Sequence, residues 1–117
     1  MPHRGELWLA NLDPQLGTEP GKTRPVLIVQ AQALLDAEHP STIIVPLTTS
    51  LVEAAEPLRL RVPRMGRLRD PSDLLIDQLR AIDNRRLVGT ALGHLPRELM
   101  LAVENALREV LQLDGAA

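Results

Sequence analysis

Cysteine, tyrosine and phenylalanine are absent from this sequence, and Trp8 is its one large aromatic side chain. The lack of cysteine excludes a disulfide framework and a thiolate metal site, and makes the cytoplasm the expected compartment. The lack of rings constrains binding, because proteins that hold single-stranded nucleic acid usually stack bases on aromatics. This chain could stack one base at most on a ring, and would otherwise use Arg planes, hydrogen bonds and phosphate contacts. No apolar run approaches the ~18–20 residues that span a bilayer. Residues 1–6, MPHRGE, carry no apolar segment after their charge, so neither a secretory signal nor a membrane partner is expected.

The usual catalytic signatures are missing as well. There is no GxSxG elbow, no GxxxxGK(S/T) loop, no HExxH and no D-x-D-x-D-G run. His3, His39 and His94 are scattered without ligand spacing. A metal-dependent or triad enzyme is therefore not expected, and no cofactor is implied.

What is present fits one domain with one core over residues 1–117, with 44% apolar and 24% charged residues. The net charge is −2, so the chain as a whole is not a basic nucleic-acid binder. The distribution says more. Of thirteen basic residues only Lys22 is lysine, and Arg59, Arg61, Arg64, Arg67 and Arg69 form a segment without an acid. Arginine suits bidentate contacts to phosphate and carboxylate. The segment could hold RNA phosphates or an acidic peptide, though a solvated loop is the ordinary fate of such a run.

Two apolar runs, Glu6–Leu12 and Pro25–Val29, read as strands and flank the loop Asp13–Thr23. That loop is long for a hairpin, and long ordered loops are often functional. Arg24 stands where the second run begins, a suitable place to hold an anion. Further strands are expected at 42–45, ended by Pro46, then at 58–62, 74–79 and 89–95. In 58–62 strict alternation puts Arg59 and Arg61 on one face, and Asp77 and Gln78 lie near the end of 74–79. Residues 30–38 read as a short helix or turn, and 83–87 as a helical turn capped by Asp83. From Pro96 to Leu113, apolar residues at Leu99, Met100, Val103, Leu107, Val110 and Leu111 make one helical face, stopped by Asp114-Gly115. The expected architecture is mostly β with α: a small barrel or sandwich carrying a C-terminal helix.

Cutting RNA needs neither metal nor triad. The neighbouring 2′-hydroxyl can attack the phosphate if a base removes its proton, donors stabilise the added negative charge, and an acid protonates the 5′-oxygen. Arg24 suits the phosphate through its charged, forked donors, and Thr48 suits a donor to a non-bridging oxygen. Read alone, Thr48 and Thr49 would pass as ordinary strand or turn residues.

The ordered set Arg4-Gly5-Glu6, Asp13-Pro14, Gly17-Thr18-Glu19, Gly21, Thr23-Arg24-Pro25-Val26, Val45-Pro46-Leu47-Thr48-Thr49 and Asp77-Gln78-Leu79-Arg80-Ala81-Ile82-Asp83 resembles the MazF/PemK family of toxin endoribonucleases. The resemblance runs from about residue 4 to about residue 112. It implies an SH3-like small β-barrel of the MazF/PemK/CcdB-like kind, a homodimer, and a type II toxin neutralised by a MazE-like antitoxin with an acidic disordered tail. It implies cleavage of single-stranded RNA, chiefly mRNA, to 2′,3′-cyclic phosphate and 5′-hydroxyl ends, with growth arrest as the outcome. By the same resemblance Arg24 and Thr48 are the catalytic pair. Glu19 matches an acid of the family loop and competes with Arg24 as general base, since a guanidinium holds its proton. Trp8, Asp13, Lys22, Thr49, Arg61, Arg64, Asp77 and Gln78 are the candidate RNA contacts, Trp8 being otherwise a core or interface residue. Pro20 departs from the Gln common in relatives, which stiffens the loop, removes a donor and bears on the cut-site sequence. Two rival readings stand beside this one: a CcdB-like toxin that poisons a protein such as DNA gyrase, and a plain SH3-like binding module.

Overall fold

The computed structural model describes residues 1–114. The elements run β1 (Glu6–Asn11), β2 (Thr23–Ile28), α1 (Gln32–Asp36), β3 (Ser41–Thr48), β4 (Arg59–Val62), β5 (Ser72–Leu75), β6 (Arg80–Asp83), β7 (Leu87–His94) and α2 (Arg97–Leu111), with 3-10 turns at Ile76–Gln78 and Asn84–Arg86. The sheet is antiparallel, ordered β4-β5-β3-β2-β1-β7, with β6 also paired to β3. This is the mostly β architecture with a C-terminal helix that the sequence led us to expect.

The three central strands are apolar at consecutive positions because both their faces are covered. Successive side chains point to opposite faces. Leu7, Leu27, Val45 and Leu47 enter one core with Val62, Leu74 and Ile76, closed by Met100, Val103 and Ala106 of α2. Trp8, Ala10, Val26, Ile28 and Ile44 enter a second core with Leu12, Ile82 and Leu35 of α1. Trp8 is 8% exposed and its Nε1 donates to Glu6 Oε1 at 3.2 Å. Of its two readings the structure gives it the core one.

The ladder itself stays open, since β4 and β7 do not pair among the described residues. The sheet nonetheless curls like a barrel, and the turn after β4 reaches β7, where Arg67 N donates to Leu92 O at 2.7 Å. Gly66 permits that approach: its φ is +52°, and a Cβ would stand 2.5 Å from Leu92 O.

Several elements differ from what the sequence predicts, and β7 begins at Leu87, two residues before the expected start. Pro46 does not end β3, which continues to Thr48. One edge of β3 pairs with β6 as far as Ile44 and with β5 from Leu47 onward, so Pro46 falls where that edge changes partner. The strand expected at 74–79 is instead β5 at Ser72–Leu75, and Asp77 and Gln78 lie in the following 3-10 turn. Strand β6 was not anticipated. Helix α2 ends at Leu111 on Gln112, which takes the left-handed cap (φ 56°, ψ 47°) usual for glycine. The expected stop at Asp114-Gly115 lies later, and Gly115 is outside the described residues. Asp83 does cap its helical turn, accepting from Arg85 N at 2.8 Å. Among the described residues no helix is long and apolar enough to cross a membrane.

Candidate active site

Strand pairing brings the two expected catalytic residues together. Val26 lies opposite Pro46, Leu27 opposite Val45 and Ile28 opposite Ile44. That ladder ends at Val26–Pro46, two residues short of both Arg24 and Thr48, and Arg24 reaches the end of β3 through a bond to Leu47 O. Arg24 and Thr48 line one cleft of about 280 Å³ with Lys22, Thr23, Pro25, Leu47, Thr49 and Ser72.

Arg24 is half-buried and held by two carbonyls. Its Nε donates to Gly21 O at 2.9 Å and its Nη1 to Leu47 O at 3.3 Å. Its Nη2 has no partner among the described residues, so a cationic donor remains for an anion in the cleft. Thr48 Oγ1 accepts from Ser50 N at 3.2 Å. That bond uses a lone pair and leaves the hydroxyl proton to donate. One charged donor and one neutral donor thus line the same small space, which suits a phosphate gaining negative charge.

The loop from residue 13 to residue 22 is sewn shut at its neck. Leu12 N donates to Lys22 O at 2.8 Å, and Lys22 N to Asp13 Oδ1 at 2.5 Å. Arg86 Nη1 reaches Asn11 O at 2.9 Å and Asp13 O at 2.5 Å. Lys22 has φ +65°, tolerated because these bonds fix it. Gly21 is obligatory: a Cβ there would stand 2.6 Å from Gln15 Cβ and 2.9 Å from Asp13 Oδ1.

The remaining candidates are dispersed. Asp13 spends its carboxylate on the loop neck and lines a separate hollow with Arg85 and Arg86. Glu19 does not line the Arg24 cleft, and its Oε1 lies 4.0 Å from Arg80 Nη1. Asp77 is exposed and Gln78 half-buried, both away from the cleft. Arg64 is exposed and lines neither the cleft nor the hollow beside it. Arg61 is occupied elsewhere, with Nε 2.6 Å from Asp73 Oδ1 and Nη2 3.1 Å from Glu53 Oε1. Among the described residues no three acidic or histidine side chains converge as a metal site.

Asp73 is 1% exposed. Burial pushes its carboxyl up, but hydrogen bonds from Arg61, Val52 N–H and Arg59 outweigh that and hold its pKa below the ordinary aspartate value. Hydrogen bonds from Asp73 and then Glu53 raise the Arg61 pKa in turn. On the surface, Arg85 pulls the Asp83 carboxyl down to about 2.

Ser72, for which the sequence offered no functional signal, borders the cleft beside the expected Thr49. Ser72 and Thr49 line both it and an adjoining hollow of about 670 Å³, floored by Leu9, Leu68 and Leu92 and edged by Arg67 and Arg69. Arg67 is engaged with Thr90 Oγ1 at 2.7 Å and with Ala91 O. Arg69 has no partner among the described residues. Sequence offered no signal to separate Arg69 from its four neighbouring arginines.

Residues 3–111 match the family described as PemK-like, MazF-like toxin of type II toxin-antitoxin system. The chain belongs to this family. It is 35% identical over 112 residues to Endoribonuclease EndoA of Bacillus subtilis, covering 94% of each chain. It is 32% identical over 116 residues to Endoribonuclease MazF of Staphylococcus epidermidis, covering 98% of this chain and 95% of that one. Among solved structures, MazF from Deinococcus radiodurans superposes with a TM-score of 0.79 at 24% identity, covering 96% of this chain and 97% of that one. Membership in the MazF-like family agrees with the resemblance carried by the ordered motifs, and it favours the toxin endoribonuclease over the CcdB-like alternative.

Proposed function

We propose that this chain is a single-domain, metal-independent endoribonuclease toxin that cuts single-stranded RNA, chiefly mRNA, at a defined short sequence. The observation that carries the reading is the shared cleft in which Arg24 keeps a free Nη2 and Thr48 keeps a free hydroxyl proton. The 2′-oxygen forms a bond to phosphorus and gives up its proton, while the bond to the 5′-oxygen breaks and that oxygen gains a proton. The products are a 2′,3′-cyclic phosphate and a 5′-hydroxyl. Arg24 and Thr48 stabilise the charge that builds on the non-bridging oxygens. Lys22 and Thr49 extend the same wall toward the flanking phosphates. Glu19 as general base requires the loop to turn it from Arg80 into the cleft, and Arg24 holds its proton as a donor to the phosphate, so the 2′-proton leaves through water in the cleft. In the cell the toxin acts in the cytoplasm as a homodimer and is neutralised by a MazE-like antitoxin whose acidic tail competes for the same cations.

The test is cleavage of a long mixed-sequence RNA by purified protein in EDTA, beside Arg24→Ala and Thr48→Ala. Recurrent cut sites with 5′-hydroxyl ends, lost in both variants, support the reading. Growth arrest on expression with no RNA cut under any condition sinks it in favour of a poisoned protein target.

A further inference from the structure

Arg80 carries a charged donor with no acceptor. It lies on β6 directly across from Ile44, so its side chain shares the sheet face of Ile44 and Ile82. The side chain is 27% exposed, but Nη1 is enclosed and makes no hydrogen bond. The nearest carboxylate oxygen, Glu19 Oε1, is 4.0 Å away, close enough for charge attraction and too far for a hydrogen bond. An enclosed cationic donor left unpaired is costly, and such groups in native proteins usually have a use. A shift of about 1 Å by Glu19 would complete a charge-assisted bond of ordinary length.

Glu19 is free to make that shift. Its side chain is 47% exposed, and its backbone tie is to Leu16 O within the loop, at 3.0 Å. Two residues later comes Gly21, whose carbonyl holds Arg24 Nε. The hydrogen-bonded neck fixes the loop's ends, so the Arg80–Glu19 contact governs its middle.

We propose that Arg80 is a positioning residue for the cleavage reaction: by closing on Glu19 it docks the middle of the loop and steadies, beside the neck bond at Lys22 N, the Gly21 carbonyl that aims Arg24. This rests on the ribonuclease reading, with Arg80 acting through Glu19 and not on the RNA.

The test measures single-site cleavage of a single-stranded RNA oligonucleotide and amide exchange at Gly21 and Lys22. The proteins compared are wild type, Arg80→Met, Arg80→Lys, Glu19→Gln and the Arg80→Met/Glu19→Gln double variant. Each single neutral variant is expected to lower kcat by about tenfold with little change in KM, and the double to be no worse than the poorer single, as coupled residues behave. Arg80→Lys should recover part of the rate, and exchange at Gly21 and Lys22 should speed up while β1–β3 stay protected. Losses that multiply to about a hundredfold in the double variant overturn the proposal, since Arg80 would then act independently of Glu19, on the RNA itself. Wild-type rates and exchange in Glu19→Gln, a half-exposed site whose change leaves folding intact, overturn it too. If wild type cuts no RNA, the ribonuclease reading falls and exchange alone decides. Equal loss of protection in both single variants, not deepened in the double, sustains the tether, and unchanged protection removes it.

Discussion

Asp73 lies directly across the β3–β5 ladder from Thr48. Its buried carboxylate gathers the segment that follows Thr48: Oδ2 accepts from Val52 N at 2.9 Å and from Arg59 Nη1 at 3.2 Å, and that same Nη1 donates to Ser50 O at 2.7 Å. Asp73→Asn keeps the shape and removes the charge. Breaking a buried pair from one side costs about 3–5 kcal/mol. Here Arg59 and Arg61 are 25% and 37% exposed and can turn to water, so about 2 kcal/mol is expected. Urea unfolding should show a lower midpoint at an unchanged slope.

The same carboxylate sets an acid limit. The pKa of Asp73 is lowered in the folded state, and that of Asp83 is lowered to about 2. A group with a depressed folded pKa binds its proton more readily when unfolded, so its contribution is complete above the unfolded value near pH ~4 and fades as pH falls toward the folded one. Urea midpoints should be level from about pH 7 to 5 and fall between about pH 4 and 2. Asp73→Asn should flatten that fall; an unchanged pH slope would show that other carboxylates control it.

In the cleft, the two donors answer to different substitutions. Thr48→Ser keeps the hydroxyl and should stay within a few-fold of wild type, whereas Thr48→Ala should lose about 10²–10³ in single-turnover rate, as for loss of one preorganised donor. Arg24→Lys keeps the charge, but an ammonium cannot span the Gly21 and Leu47 carbonyls and still present a fork, so it should fall close to Arg24→Ala. Equal activity of Arg24→Lys and wild type would mean that charge alone matters.

Much of this was legible in the sequence, and the failures have physical causes. Continuous apolar runs revealed β1 and β2, which bury both faces, and a 3.6-residue repeat revealed α2, which buries one. Such patterns could not reveal that β3 passes through Pro46, since that depends on β6 and β5 sharing one edge of β3. The apolar run at 74–79 hid the break at Ile76, because a 3-10 turn packed on α2 wants the same residues as a strand. Strand β6, four residues long with charges at both ends, carries no pattern of its own. Alternation at 58–62 correctly put Arg59 and Arg61 together, but their partner Asp73 is invisible until β4 and β5 pair. The Arg24–Thr48 pair became legible only through family resemblance, since the strand pairing that brings them to one cleft is a tertiary fact.

Gly21 offers a test of the loop apart from the proposed catalytic side chains. Gly21→Ala places a methyl against Gln15 Cβ and Asp13 Oδ1. The loop must open locally, and the carbonyl that holds Arg24 moves with it. Because Gly21, Gln15 and Asp13 belong to neither core, stability should drop by about 1 kcal/mol or less, as at sites away from core packing. Cleavage should fall by about 10²-fold, as when a reacting group is displaced by an ångström. Rates and melting temperatures measured on the same preparation separate the two; a large stability loss with little rate loss would contradict this account of the loop.

Arg61 and Arg69 belong to one basic run but have opposite circumstances, and salt distinguishes them. Arg61 is bound to Asp73 and Glu53 in a hollow apart from the cleft. Arg69 edges the groove that continues from Thr49 and Ser72, without a partner among the described residues. Each phosphate contact on a single strand contributes about 0.7 to the slope of log affinity against log salt. Arg69→Ala should therefore reduce that slope by about 0.7 and raise KM several-fold at low salt, with unfolding unchanged. Arg61→Ala should lower the urea midpoint and leave the salt slope as it was. The binding curves are best taken on an Arg24→Ala background, where the RNA survives the titration, and a slope change from Arg61 with none from Arg69 would relocate the RNA path to the other side of β4.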